Sequence, residues 1–318
     1  MATKEQSDLR KMQPHKGEPA GIKKASLIQR IITGAIFAVV VLAVVIFGSN
    51  TIILPMFCML VAAYAAREFY RLARPKMSSV AHGIGIALAV VLPAAAHFSR
   101  PRFDLLTDLY PDFLLLGAGD LRAFILMALF ATLALFAYMT WMAVTPDSKV
   151  ADITASFFGA LYVGIPLACL VLLGAMNEGF PLFAVTMIVS IWAADSFAYL
   201  GGSLFGRHKL APVISPKKSW EGLFAGTIGA ILMWYLAPLI FTGNTSWVVA
   251  ITVGILVSLT SLIGDLFESR VKRERGVKDS GTLLPGHGGV LDRFDSLFFT
   301  TPVVFLLLAV LTAFGFTF

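Results

Sequence analysis

Apolar residues recur in nine runs along this chain, and each run is long enough to be a helix crossing a bilayer. They cover residues 30–48, 51–66, 79–97, 121–143, 153–175, 181–200, 221–241, 246–267 and 297–318. At about 1.5 Å per residue such runs cross about 30 Å of hydrocarbon, with allowance for tilt or a short interfacial turn. The second run, bounded by Thr51 and Arg67, is the shortest. A single soluble core would not hold this much apolar surface. The chain is 58% apolar and 14% charged, against about 45–50% and about 25% in a soluble domain. The sequence therefore predicts an all-α polytopic membrane protein with about nine transmembrane helices.

Basic residues give the orientation. With the N-terminus in the cytoplasm, 22 of the 25 Lys and Arg residues fall on the cytoplasmic side, leaving only Arg100, Arg102 and Arg122 opposite. That asymmetry is the positive-inside pattern. Residues 1–28 read as a basic cytoplasmic tail without periodicity, hence disordered. The run after it lacks a small-residue cleavage site and reads as a first membrane helix, not a signal peptide. Residues 29–180 form the N-terminal helices. Residues 181–318 form a C-terminal region with cytoplasmic loops at 201–220 and 268–296, where the chemistry is expected. The net charge of +6 fits anionic lipid headgroups better than nucleic acid. Cys58 and Cys169 lie inside apolar runs and read as packing residues. The outer loop with Asp104, Asp108, Asp112 and Asp120 reads as solvated. "GLFAGTIGA" (222–230) spaces small residues for helix contact within the chain first, and for a homodimer second.

Two loops carry the polar chemistry: "DSFAYLGGSLFGRHKLAPVISPKKSWEG" (195–222) and "GDLFESRVKRERGVKDSGTLLPGHGGVLDRFDS" (264–296). A helical hairpin returns both to one membrane face. Asp265, Ser269 and Lys272 lie at i, i+4 and i+7, on one face if the eighth helix continues beyond its apolar run. Asp292 and Asp295 share a face at the start of the ninth. Carboxylates converging at a membrane edge repel, and Mg²⁺ is a hard cation suited to oxygen ligands. Arg270, Lys272, Arg273, Arg275, Lys278 and Arg293, with Lys217 and Lys218, surround them. Acids for a metal and bases for anions describe a phosphate-handling site. The glycines of "PGHGG" (285–289) would let backbone N–H groups approach a phosphate at the ninth helix's N-terminus. Asp195 reads as either a capping or a site residue, and Glu221 as favouring its helix N-terminus. The P-loop pattern is absent, and "GGSLFG" (201–206) lacks the preceding strand of a dinucleotide fingerprint.

The stretch "SRVKRERGVKDSGTLLPGHGGVLDRFD" (269–295) resembles the signature of the phosphatidate cytidylyltransferases, the CDP-diacylglycerol synthases, at every fixed position. "ISPKKSWEG" and "FGRHKLAP" are similar too, whereas "YLGGSLFG" departs where an arginine would follow a single glycine. The resemblance covers residues 195–296; the first 180 match only in general character. It implies the reaction CTP + phosphatidate → CDP-diacylglycerol + pyrophosphate, with Mg²⁺, at the cytoplasmic edge of a bacterial-type inner membrane. On this reading Asp265, Asp292 and Asp295 are the metal ligands, with Ser269 and Lys272 holding phosphates beside them. Ser215, Lys217, Lys218, Lys278, His287 and Arg293 are candidates for CTP, pyrophosphate or the lipid phosphate. The alternatives are a CTP-dependent lipid kinase, a polyprenyl-phosphate glycosyltransferase and, from another class, an ion-coupled transporter. The transporter is disfavoured because the polar residues gather at one face and no inverted repeat is visible.

Overall fold

The computed structural model describes residues 20–99, 119–176, 179–283 and 288–313. Among them are nine helices: α1 (Ala20–Gly48), α2 (Ile53–Ala73), α3 (Ser79–Phe98), α4 (Gly119–Val144), α5 (Val150–Leu173), α6 (Leu182–Phe205), α7 (Trp220–Thr242), α8 (Trp247–Glu274) and α9 (Leu291–Ala313). A hairpin of β1 (Lys209–Ala211) and β2 (Ser215–Ser219), paired antiparallel, joins α6 to α7. Eight helices, α2 to α9, are long and apolar enough to cross a membrane. Helices suit this role because each satisfies its own backbone polar groups in hydrocarbon. The predicted all-α polytopic architecture is the one observed. Residues 1–19 of the predicted tail and the outer loop at 100–118 lie outside the described residues.

Small residues set the packing. A Cβ on Gly222 would stand 2.8 Å from the Ala198 carbonyl oxygen, and one on Gly226 2.7 Å from that of Ala194. The small-residue face of α7 is thus spent on α6, inside the chain, as the sequence analysis expected before any dimer contact. Helix α5 lies at the centre, buried along most of its length and packed on α2, α3 and α9. It links the N-terminal helices to the α6–α9 group.

Several helices outrun their hydropathy. Helix α1 begins at Ala20 instead of 30, α2 continues to Ala73, α6 to Phe205 and α8 to Glu274, and α9 begins at Leu291 instead of 297. The extension of α8 is held by the i,i+4 pairs Glu268–Lys272 and Arg270–Glu274. The predicted loops at 201–220 and 268–296 are accordingly shorter. The hairpin was unanticipated: "KLA" and "SPKKS" show no apolar alternation, and their register is fixed by the closure between α6 and α7. Ser219 ends β2 and caps α7, its hydroxyl accepting from the Gly222 N–H at 3.2 Å. Glu221, in the first turn, accepts from His208 Nδ1 at 2.6 Å and from the His208 N–H, tying the hairpin to α7.

Candidate active site

A cavity of about 540 Å³ opens where α6, β2, α7, α8 and the start of α9 meet. Ten of the eleven predicted site residues line it. Asp265, Ser269 and Lys272 come from α8, and Asp292, Arg293 and Asp295 from α9; Ser215, Lys217 and Lys218 lie on β2, and Lys278 follows α8. The eleventh, His287, lies outside the described residues.

The i, i+4, i+7 reading of α8 holds in detail. Ser269 Oγ donates to Asp265 Oδ1 at 3.2 Å, and Lys218 Nζ approaches Asp265 Oδ2 at 2.6 Å from the hairpin. One turn on, Lys272 Nζ bridges Glu268 Oε2 (3.0 Å) and Asp292 Oδ1 (2.6 Å). Helix α9 approaches α8 closely because Gly264 carries no side chain; a Cβ there would meet the Asp295 carbonyl oxygen at 2.5 Å.

Two acidic groupings result. Asp295 lies within electrostatic reach of Asp265, Glu268 and Asp195. Glu268 Oε1 is buried and lacks a donor. A hydrogen bond between the Glu268 and Asp295 carboxyls requires that one of the two carry a proton. A buried carboxylate oxygen in that position calls for a shared proton or a cation. The donor set is hard oxygen throughout, which fits Mg²⁺. Asp292 faces a different set of partners. Its Oδ1 takes the Lys272 ammonium, and its Oδ2 accepts from the N–H groups of Ser280 and Gly289, each at 2.8 Å, and from Ser280 Oγ at 3.0 Å. Among the described residues no three Asp, Glu, His or Cys side chains already form a group that could hold one metal ion.

The glycine-rich turn differs from its sequence reading. Gly288 has φ +82°, and a Cβ on it would stand 2.4 Å from Asp292 Oδ2. The Gly289 amide is taken by that same carboxylate. These two glycines admit the protein's own carboxylate, where a phosphate was expected. At the N-terminus of α9 the anion is Glu68, which accepts from Val290 N (3.1 Å) and Leu291 N (2.8 Å). The other basic side chains that line the cavity are Lys217, Lys218, Arg273, Lys278 and Arg293.

Sequence reasoning missed Glu68 and Glu268. Glu268 carried a signal, being at i+3 from Asp265 and i−4 from Lys272. Glu68 sits among the polar residues closing the second apolar run, and its partners are more than 200 positions away. Asp195, left open between two roles, lines the cavity and takes a 3.4 Å contact from Ser261 Oγ.

Residues 28–311 match the model of the cytidylyltransferase family. The chain is 32% identical to the phosphatidate cytidylyltransferase of Bacillus subtilis over 282 residues, covering 88% of this chain and 97% of that protein. It is 34% identical to phosphatidate cytidylyltransferase 5, chloroplastic, of Arabidopsis thaliana over 74% of this chain and 61% of that one. Against the phosphatidate cytidylyltransferase of Mycobacterium bovis, identity is 38% over 52% of this chain and 54% of the relative. The chain thus spans about half the length of the mycobacterial relatives it matches.

Proposed function

Because the chain belongs to the cytidylyltransferase family, we propose that it converts CTP and phosphatidate to CDP-diacylglycerol and pyrophosphate, at the cytoplasmic edge of an inner membrane. The relatives named above carry that activity in their names. The observation that carries the reading is one cavity lined by both kinds of group: carboxylates of α6, α8 and α9, and the ammonium and guanidinium groups of β2, α8, Lys278 and Arg293, with Lys218 paired to Asp265 and Lys272 to Asp292.

The lipid phosphate is the nucleophile. One of its oxygens attacks the α-phosphorus of CTP, a new P–O bond forms, and the bond to the β-phosphate oxygen breaks to release pyrophosphate. An anionic nucleophile needs no strong base, so the protein's task is positioning and charge neutralisation. Lys217, Lys218 and Lys278 hold the triphosphate and take up charge developing on pyrophosphate, while Arg293, at the start of α9, holds the lipid phosphate. Asp265, Asp292 and Asp295 would hold Mg²⁺, with Glu268 beside them; when bound, the ion supplies the positive charge that lets two anions approach. Asp292 serves this only by releasing Oδ1 from Lys272, whose ammonium is then free for a phosphate. Ser269 orients Asp265.

The test incubates purified protein with cytosine-labelled CTP, phosphatidate and Mg²⁺, with and without a chelator. Label is expected in the organic phase, dependent on both phosphatidate and the ion. Label transferred only as the γ-phosphate would instead establish a lipid kinase. No covalent transfer at all would overturn the reading and favour the transporter.

A further inference from the structure

Glu68 belongs to α2, in the N-terminal helices that carry none of the signature, yet its carboxylate is buried (6% exposed) against the catalytic turn. It accepts the Val290 and Leu291 N–H groups and the Ser280 hydroxyl, the last at 2.9 Å. Ser280 Oγ also lies 3.0 Å from Asp292 Oδ2. Its single proton is therefore shared between an acid from α2 and an acid from α9. Gly281 and Gly289 make room: a Cβ on either would come within 2.4 Å of a Glu68 carboxylate oxygen. Arg275, just past α8, makes a second tie by donating to the Leu72 and Ala73 carbonyls at the end of α2. Ser280 and the Val290–Leu291 segment are thus closed on one carboxylate, and Asp292 follows directly on the segment so fixed.

We propose that Glu68 is a positioning residue for the transfer reaction, holding Ser280 and the Val290–Leu291 start of α9 so that Asp292 and Asp295 are presented to the cavity. The inference rests on the cytidylyltransferase reading for its rate effect, but the clamp itself has a separate readout. Glu68→Gln keeps the size, yet its amide N–H₂ must face backbone and hydroxyl donors, so at least one bond of the clamp is lost. Turnover and amide hydrogen exchange are measured together in detergent on the full chain. The expected result for Glu68→Gln is a kcat lowered about tenfold or more, with KM for CTP changed less than about threefold. Exchange at Ser280 and Gly289–Leu291 accelerates, while the rest of the helical core exchanges as before. Glu68→Asp, which keeps the charge, recovers part of both. A purely structural role would lower the yield of folded protein and speed exchange throughout, with kcat per folded molecule unchanged; that result overturns the proposal, as does unchanged exchange at 289–291. Where Glu68→Gln does not fold, Ser280→Ala decides on the same two readouts, and wild-type values in it overturn the proposal. If the wild-type protein transfers no cytidylyl group, the functional reading fails, and exchange alone then decides whether Glu68 clamps the turn.

Discussion

Replacing Asp292 by Asn removes one charge and reverses the polarity of one position while leaving the volume intact. In the wild type both oxygens are committed, Oδ1 to the Lys272 ammonium at 2.6 Å and Oδ2 to the Ser280 and Gly289 amides at 2.8 Å. Asparagine supplies one acceptor and one N–H₂ group. If the oxygen faces the amides, the N–H₂ meets Lys272, donor against donor; if it is flipped, two backbone N–H groups lose their acceptor. In either orientation a charge-assisted bond disappears, worth about 1.5–3 kcal/mol, and a buried ion pair is broken, for which about 3–5 kcal/mol is the general scale. The side chains concerned are nearly enclosed, at 11% exposure for Lys272 and 4% for Asp292, so little solvent screening relieves the loss. In the proposed reaction Lys272 leaves Asp292 and a cation would take its place, so the variant lacks a charged partner for that cation as well; a loss on the same scale, about 3–5 kcal/mol, lowers turnover about 10²- to 10⁴-fold. The assay is transfer of labelled cytosine into lipid, with size-exclusion elution and thermal unfolding in detergent as controls for folding. A folded Asp292→Asn protein with turnover within about threefold of wild type would refute the reasoning, because the network around Asp292 would then be irrelevant to the reaction.

Lys218→Met separates binding from stability. The Lys218–Asp265 pair is partly exposed, at 23% and 37%, so its loss should change stability by no more than about 1 kcal/mol. KM for CTP is expected to rise about tenfold in initial-rate measurements, and an unchanged KM would remove Lys218 from the triphosphate site. Gly288→Ala combines a φ of +82° with a Cβ 2.4 Å from Asp292 Oδ2. Backbone strain alone is about 1–3 kcal/mol, and the contact forces the carboxylate aside. Turnover should fall at least about tenfold in protein that still elutes as folded; wild-type turnover would contradict the close approach.

The nine helices were legible because hydropathy reports the one constraint that dominates a membrane chain. What hydropathy misses are the helix ends. The last two turns of α8 are polar, and Glu274 ends a helix whose apolar run stops near Leu266–Phe267. Helicity continues there because of side-chain pairs, which only the i,i+4 spacing reveals. The site was legible wherever its members share a helix, as Asp265, Ser269 and Lys272 do. It was illegible where the contact depends on tertiary folding. Glu68 is such a case, and so is the choice between a phosphate and a carboxylate as occupant of the glycine turn. Glycine spacing states that something must come close to the backbone; the identity of the visitor depends on which side chain the fold delivers.

That last point changes how the charges of this site work together. Five acids, Asp195, Asp265, Glu268, Asp292 and Asp295, border one cavity or its wall, and three of them, Asp265, Glu268 and Asp292, share two lysines as partners. In the proposed reaction the borrowed partners are the groups the substrates need. Asp265 and Asp292 would hold a cation only by releasing Lys218 and Lys272, whose ammonium groups would then be available to the triphosphate. Each lysine offsets charge on the carboxylates it pairs with, and an exchange of partners would couple metal binding to nucleotide binding. The coupling is reciprocal by linkage. CTP should bind more tightly in the presence of Mg²⁺, and Mg²⁺ more tightly in the presence of CTP by the same factor. Lys218→Met should shrink that factor because one of the exchanged partners is gone. Equal factors in wild type and Lys218→Met, measured by calorimetric titration of CTP at several Mg²⁺ concentrations, would mean that the lysine is a fixed strut and that the ion finds its carboxylates without displacing it.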